Sequence, residues 1–249
     1  MRLDKAIVGQ NLAPTRSVAQ QDIAAGRVTV DGLVVTKASF PVGSGQVVAV
    51  IAGTDVFVSR GGHKLAAALE HWKISLAGRI CLDVGVSTGG FTDCMLQHGA
   101  VQVIGVDSGH GQLANSLQQE PRLRLLERTN ARYLTAALLP ESISFFTVDV
   151  SFIAASLVLP SVIASAFRSP DSEENAAARE AVVLVKPQFE AGREFVGKHG
   201  IVRSTAAHRR AVERVSETLI AHGAQEIDTI ESPIQGGDGN HEFLLYARF

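Results

Sequence analysis

Residues 80–93, Ile80-Cys81-Leu82-Asp83-Val84-Gly85-Val86-Ser87-Thr88-Gly89-Gly90-Phe91-Thr92-Asp93, limit what this chain can become more than any other stretch. A short apolar segment ends in an acid, small residues follow, and a helical pattern then restarts. That order predicts a strand, a glycine turn and a helix N-terminus, the unit with which open α/β sheets hold a nucleotide-like cofactor. Dinucleotide sites favour G-x-G-x-x-G, because backbone must approach a pyrophosphate. Here Ser87 stands where the second glycine of that fingerprint belongs. A cofactor without a phosphate chain, such as S-adenosylmethionine, fits the looser turn better. A nicotinamide cofactor and a purely structural turn stay open. The candidate cofactor residues of the turn are Asp83, Gly85, Ser87, Thr88, Gly89, Gly90 and Phe91. Asp107 closes the next apolar run about 20 residues past the turn, where such a site places a carboxylate on a ribose diol. Asn130 and Ala131 follow a third expected strand and are candidates for the adenine edge.

The rest of the chain continues the alternation. Strands are expected at 80–84, 101–106, 123–126, 143–148 and 181–185, with helices at 64–72, 112–119 and 205–221, the last capped by Thr205. Strands alternating with helices imply a parallel, doubly wound sheet. Two closing strands at 224–230 and 242–249, joined without a helix, imply an antiparallel edge. Residues 150–167 carry no charge and are long enough to be tested as a membrane span. Four serines and Pro160 interrupt them, and a strand leads straight in, so a buried core helix is expected. The segment 171–180 is polar and alanine-rich, so a solvated turn and helix end are expected there. Cys81 and Cys94 lie in apolar segments without metal-ligand spacing and are expected as buried free thiols of a reducing, cytoplasmic compartment. The first residues lack a basic run followed by an apolar one, so no secretory signal is expected there.

The first 60 residues read differently. Helical spacing over 2–10 and 16–25 is followed by Arg27-Val28-Thr29-Val30-Asp31-Gly32-Leu33-Val34-Val35, two β-rich runs about an Asp-Gly pair, a strong hairpin signal. Further short strands are expected at 47–51 and 56–58. Up to Lys64 seven cations face four acids, a balance of +3 in a chain of net −2. An ordinary solvated surface and a polyanion-facing one both fit that asymmetry. Arg2-Leu3-Asp4-Lys5, Thr15-Arg16-Ser17-Val18-Ala19 and Ile23-Ala24-Ala25-Gly26-Arg27-Val28-Thr29-Val30-Asp31-Gly32 resemble the S4 RNA-binding domain. The resemblance implies phosphate contacts by Arg2, Lys5, Arg16, Arg27 and Lys37. Arg60, in the glycine-rich joint 59–63, joins them as an RNA candidate. The expected division is therefore 1–58, a joint at 59–63, and 64–249.

Four charged residues fall where a doubly wound sheet puts its chemistry, outside the carboxyl ends of the strands. Asp149 ends the fourth strand, Lys186 ends the fifth, Glu242 begins an antiparallel last strand, and Lys64 precedes the helix leading into the first strand. Each alone is more often a surface ion or cap; together at one edge they mark a site. The set resembles the Lys-Asp-Lys-Glu tetrad of FtsJ-like RNA 2′-O-methyltransferases. Ser59-Arg60-Gly61-Gly62, Glu127-Arg128-Thr129-Asn130-Ala131-Arg132, Asp149-Val150-Ser151-Phe152-Ile153, Val185-Lys186-Pro187-Gln188-Phe189-Glu190 and Gly239-Asn240 narrow it to the TlyA family, an S4 domain fused to an FtsJ-like methyltransferase. Val86, Ser108, His110 and the Ala114-Asn115 pair depart from the usual pattern; the tetrad does not.

The resemblance implies a Rossmann-like methyltransferase sheet after a small α+β S4 domain. It implies S-adenosylmethionine as cofactor and methylation of a cytidine 2′-oxygen in ribosomal RNA, within a ribosomal subunit, with no membrane partner. A lysine that keeps its free pKa of about 10.4 is protonated at neutral pH and cannot accept a proton, and neighbouring positive charge disfavours that form. On this basis Lys186 is expected to be the base, Lys64 to orient the hydroxyl and stabilise its developing charge, and Asp149 and Glu242 to hold the lysines, with Asp149 also nearest the methyl donor as a cofactor candidate. Two other readings remain. One is a membrane-active protein, since family members are often labelled haemolysins. The other is a catalytically inactive ribosome-binding protein.

Overall fold

The computed structural model describes residues 1–24, 27–50, 56–139, 143–167, 179–236 and 239–249. The chain divides into two compact units, Met1–Val56 and Phe57–Phe249.

The first unit packs α1 (Leu3–Gly9) and α2 (Arg16–Ala24) with a three-stranded antiparallel sheet in the order β2 (Leu33–Val34), β1 (Val28–Val30), β3 (Val48–Val50). Asp31 and Gly32 both take positive φ, 52° and 81°, which matches the twist of the flanking strands and explains why Asp-Gly stands there. Leu3, Ile7, Ala19, Ile23, Val28, Val30 and Val48 form the core.

The second unit is a seven-stranded sheet in the order β6-β5-β4-β7-β8-β10-β9. Its strands are β4 (Ile80–Val84), β5 (Gln102–Val106), β6 (Leu123–Leu126), β7 (Ile143–Val148), β8 (Glu180–Val185), β9 (Glu226–Glu231) and β10 (Phe243–Arg248). Strands β4 to β8 pair in parallel. Only β10 runs against its neighbours, and it lies inside β9 rather than at the edge. Helices α3 (Arg60–His71) and α4 (Gly90–Gln97) cover one face, and α5 (Ala155–Ala166) and α7 (Thr205–Ala221) the other. The short α6 (Pro187–Glu190) follows β8 directly. With both faces covered, β7 and β8 are buried at every position, and their mostly apolar sequences follow. Alternation sorts the strand residues: Val183, Val185 and Leu245 join the α5/α7 side, and Val182, Leu184 and Leu244 the α3/α4 side.

Several expectations change. No strand forms at 56–58, because the Val58 amide donates to the Asp93 carboxylate at 2.7 Å and the Phe57 ring lies where a side chain on Gly62 would sit. The joint 59–63 is not a free hinge: Arg60 to His63 form the first turn of α3. The helix at 112–119 shrinks to a single 3-10 turn, Asn115–Leu117. Ser204, not Thr205, caps α7 by accepting from the Ala207 amide at 3.3 Å. The polar segment read at 171–180 lies largely outside the described residues. Among the described residues no helix is long and apolar enough to cross a membrane, and α5 is a core helix.

Candidate active site at the carboxyl edge of the sheet

Beneath the β4 turn, Asp83 is fully buried. Its carboxylate accepts from the Thr92 hydroxyl at 2.6 Å and the Thr147 hydroxyl at 2.9 Å. Burial pushes its pKa up to about 6, the two hydroxyls opposing the shift. Asp83 thus ties β4 to α4 and β7 instead of lining the cofactor space. Above it the chain turns at Gly85, φ 92°. A Cβ there would stand 2.2 Å from the Asp149 carbonyl oxygen, so only glycine lets the ends of β4 and β7 approach this closely.

Ser87 also has positive φ, 49°, and its amide donates to Asp107 Oδ2 at 2.7 Å. Asp107 Oδ1 accepts from the Gly109 amide at 2.7 Å. The carboxylate is thereby fixed while each oxygen keeps a lone pair for a further donor. Asn130 Oδ1 accepts from the Arg132 amide at 3.0 Å, which shapes the loop after β6.

These groups border a cavity of about 390 Å³ at the carboxyl ends of β4, β5 and β7. Of the cofactor candidates, Gly85, Ser87, Asp107, Asn130, Ala131 and Asp149 line it. Thr88, Gly89, Gly90 and Phe91 do not. Gly89, φ 94°, leaves room for Leu117, and Gly90 for the Ser59 hydroxyl and the Gly62 amide; they let α4 pack. The sequence reading missed Gly109, Gln112, Thr129 and residues 150–153 in the lining. Thr129 and residues 150–153 stand in motifs that carry the family resemblance, Gly109 lies two residues past Asp107, and no sequence signal pointed to Gln112. The volume falls within the range of small-ligand sites, and such sites gather at strand carboxyl ends.

The four charged residues meet beside this cavity as two ion pairs. Lys186 Nζ lies 2.6 Å from Asp149 Oδ1 and donates to the Ser151 hydroxyl at 2.9 Å. Lys64, buried in the first half of α3, pairs with Glu242. The register of β10 with β8 sets Phe243 opposite Val185, so Glu242 stands across from Lys186. β7, β8 and β10 are consecutive in the sheet, and Glu242 shares the α3-facing side with Leu244. Gly236 keeps space for the Glu242 carboxylate, where a Cβ would stand 2.6 Å from Oε1. Asn240 clamps the neighbouring loop: it accepts from the Val202 amide at 2.9 Å and donates to the Gly200 carbonyl at 3.0 Å. Phe152, next to this cluster, has φ 66° and is 95% exposed, an aromatic face held out to solvent against the Phe189 ring at 5.9 Å.

In the first unit the RNA candidates divide. Arg2 and Arg16 both donate to the buried Asp4, at 3.0 and 2.7 Å, with Gln20 adding a third donor at 2.9 Å. These donors hold the Asp4 carboxyl well below the usual carboxylate range. Arg27 pairs with Asp22 at 2.6 Å. Lys5 and Lys37 are exposed, as is Arg60 on the second unit.

Residues 57–249 match the FtsJ-like methyltransferase model and residues 1–48 the S4 domain model. The chain is 40% identical over 248 residues to the 16S/23S rRNA (cytidine-2′-O)-methyltransferase TlyA of Mycobacterium tuberculosis, covering 99% of this chain and 89% of that one. It is 36% identical over 247 residues to Hemolysin A of Brachyspira hyodysenteriae, covering 99% of each. The solved structure of a candidate hemolysin from Streptococcus thermophilus aligns with TM-score 0.74 at 38% identity, covering 100% of this chain and 88% of that one.

Proposed function

Because the chain belongs to the TlyA family of S4-bearing, FtsJ-like methyltransferases, its reaction is 2′-O-methylation of cytidine in ribosomal RNA, and we propose how its own residues carry that reaction. S-adenosylmethionine would be held at the 390 Å³ cavity by Asp107 at its ribose hydroxyls and by Asn130 and Ala131 beside its adenine, with Gly85 and Ser87 forming the turn next to it. When bound it supplies an electrophilic methyl on a cationic sulfur. Lys186, acting as the neutral amine and not as the ion-paired ammonium, takes the proton of the target 2′-hydroxyl as the oxygen gains its methyl. Lys64 orients that hydroxyl and stabilises its developing negative charge. Asp149 and Glu242 hold the two amines, and Ser151 fixes the direction of Lys186.

One observation carries the reading: two lysine–carboxylate pairs from α3 and three neighbouring strand ends lie side by side at the edge where the cavity opens. Exposed Phe152 offers a stacking surface for a base drawn out of the RNA. In the S4 unit, Lys5 and Lys37 serve as phosphate contacts, while Arg2, Arg16 and Arg27 shape the surface through their own carboxylates.

The test is transfer of labelled methyl to each isolated ribosomal subunit, with mapping of the modified ribose. A positioned base contributes on the order of 10²–10⁴-fold, so Lys186→Ala should lower turnover by about that factor while still binding S-adenosylmethionine. A nearly active Lys186→Ala enzyme with an unshifted pH–rate profile would remove the base assignment.

A further inference from the structure

The segment from Arg193 to Arg210 carries Arg193, Lys198, Arg203, Arg209 and Arg210 against a single acid, Glu194, in a chain of net charge −2. All five cations are exposed, and none forms an ion pair among the described residues. The segment leaves the sheet just after Lys186 and returns as the start of α7, so it borders the carboxyl edge. Beside it opens a second cleft, about 900 Å³, on the α7 side of β9 and β10. Arg203, His208, Arg209, His241 and Phe243 line it. The rings of His241 and Phe243 each lie 5.7 Å from that of His208.

The cleft is joined to the catalytic edge through one strand start. Glu242 turns toward α3, and alternation turns its neighbours His241 and Phe243 to the opposite face. Two acids of the lining, Glu213 and Glu231, oppose part of this charge. Glu231 is paired with His241 at 2.5 Å, and Glu213 lies one turn further along α7 than Arg209.

We propose that this basic segment and cleft form an RNA-contact surface on the catalytic unit itself, which takes the single-stranded stretch next to the target ribose. Phosphates lie along Arg203 and Arg209, and one unstacked base enters against His208, His241 and Phe243. The placement rests on the reading of Lys64, Asp149, Lys186 and Glu242 as the catalytic set. Cations track a nucleic-acid backbone without reading its sequence, and ring faces accept any base.

The probe is a short fluorescein-labelled, cytidine-containing single-stranded RNA, titrated against the full chain over a range of salt. A parallel series in a Lys5→Gln/Lys37→Gln background removes cover from the S4 unit. Arg203→Gln/Arg209→Gln should weaken binding on the order of tenfold and flatten the slope of log K against log salt by about 1.4, two single-strand phosphates' worth. His208→Ala/His241→Ala should weaken binding roughly tenfold with the slope unchanged, as loss of a stacking contact requires. Both should keep wild-type affinity for S-adenosylmethionine; the arginine variant should keep wild-type Tm, and the histidine variant, which loses the His208 bond to the Val202 carbonyl, is titrated below its own Tm. Unchanged RNA affinity and slope in the arginine variant would overturn the surface. Wild-type binding by the histidine variant, or equal preference for duplex RNA, would overturn the base cleft. Since binding is read without turnover, a wild-type protein that methylates no ribosomal RNA would sink the catalytic reading separately.

Discussion

Asp83 shows how one side chain can serve a site without touching it. Its ordinary value is 3.8, and burial raises it to about 6 in the folded chain. Between those values the folded protein keeps a proton that the unfolded chain has released. Stability from this group is therefore fully present below about pH 4 and is lost as pH rises through about 6. Two units correspond to roughly 3 kcal/mol. Asp83→Asn keeps an acceptor for one hydroxyl and offers a donor to the other. Its Tm should exceed the wild-type value at pH 7.5 and approach it near pH 4, measured by calorimetry across that range. A constant difference between the two proteins would refute the burial argument. The acid at the end of the first strand was legible in sequence, but its role was not. Whether a strand-end carboxylate faces the cavity or the core depends on which partners, here Thr92 and Thr147, arrive from other elements.

At the scale of elements, the segment after β8 acts as a bracket. Glu190 on α6, buried, accepts from the Ser156 amide at 3.2 Å and the Ser156 hydroxyl at 2.7 Å. It caps the first turn of α5 and fixes the loop carrying Asp149, Ser151 and Phe152 relative to Lys186. Losing such a cap costs about 1–2 kcal/mol. Glu190→Ala should lower Tm accordingly and lower turnover further than stability alone explains, while Glu190→Gln, which keeps an acceptor, should recover most of both. Thermal melts paired with methyl-transfer rates decide it; an unchanged Tm in Glu190→Ala excludes the bracket. Elements with a strong period, β4 to β8 and α7, could be read from the sequence because local pattern and tertiary burial agree. The expected helix at 112–119 could not. Ala114 is extended, its amide donates to the Thr88 carbonyl at 3.2 Å, and Leu113 and Leu117 turn inward over Gly89. Packing against the glycine turn outweighs helix propensity there.

Across the whole molecule, charge is divided by task. Lys5 and Lys37 remain open in the first unit, whereas Arg2 and Arg16 neutralise a buried acid. Lys5→Gln/Lys37→Gln should weaken binding to ribosomal RNA and reduce the salt slope by about 0.7–0.9 per lost phosphate contact, without a change in Tm. Arg16→Ala should instead lower Tm, because it strips a partner from a buried carboxylate. Salt titrations and melts of the two variants separate the roles. Equal effects on RNA binding with no melting difference would mean that both kinds of cation face RNA.

The sequence by itself determined the parallel α/β order, the glycine turn, the Asp-Gly hairpin and the identity of the four edge charges. Each of these is written in residues close together, or in a motif whose chemistry admits few substitutes. Only the tertiary structure decided which glycines open a cavity and which let helices pack. It alone paired Lys64 with Glu242 and Lys186 with Asp149. It also placed β10 inside β9, which brings a residue from the end of the chain opposite Lys186. Pairing of this kind is set by strand order and register, and those depend on contacts between segments far apart in the chain.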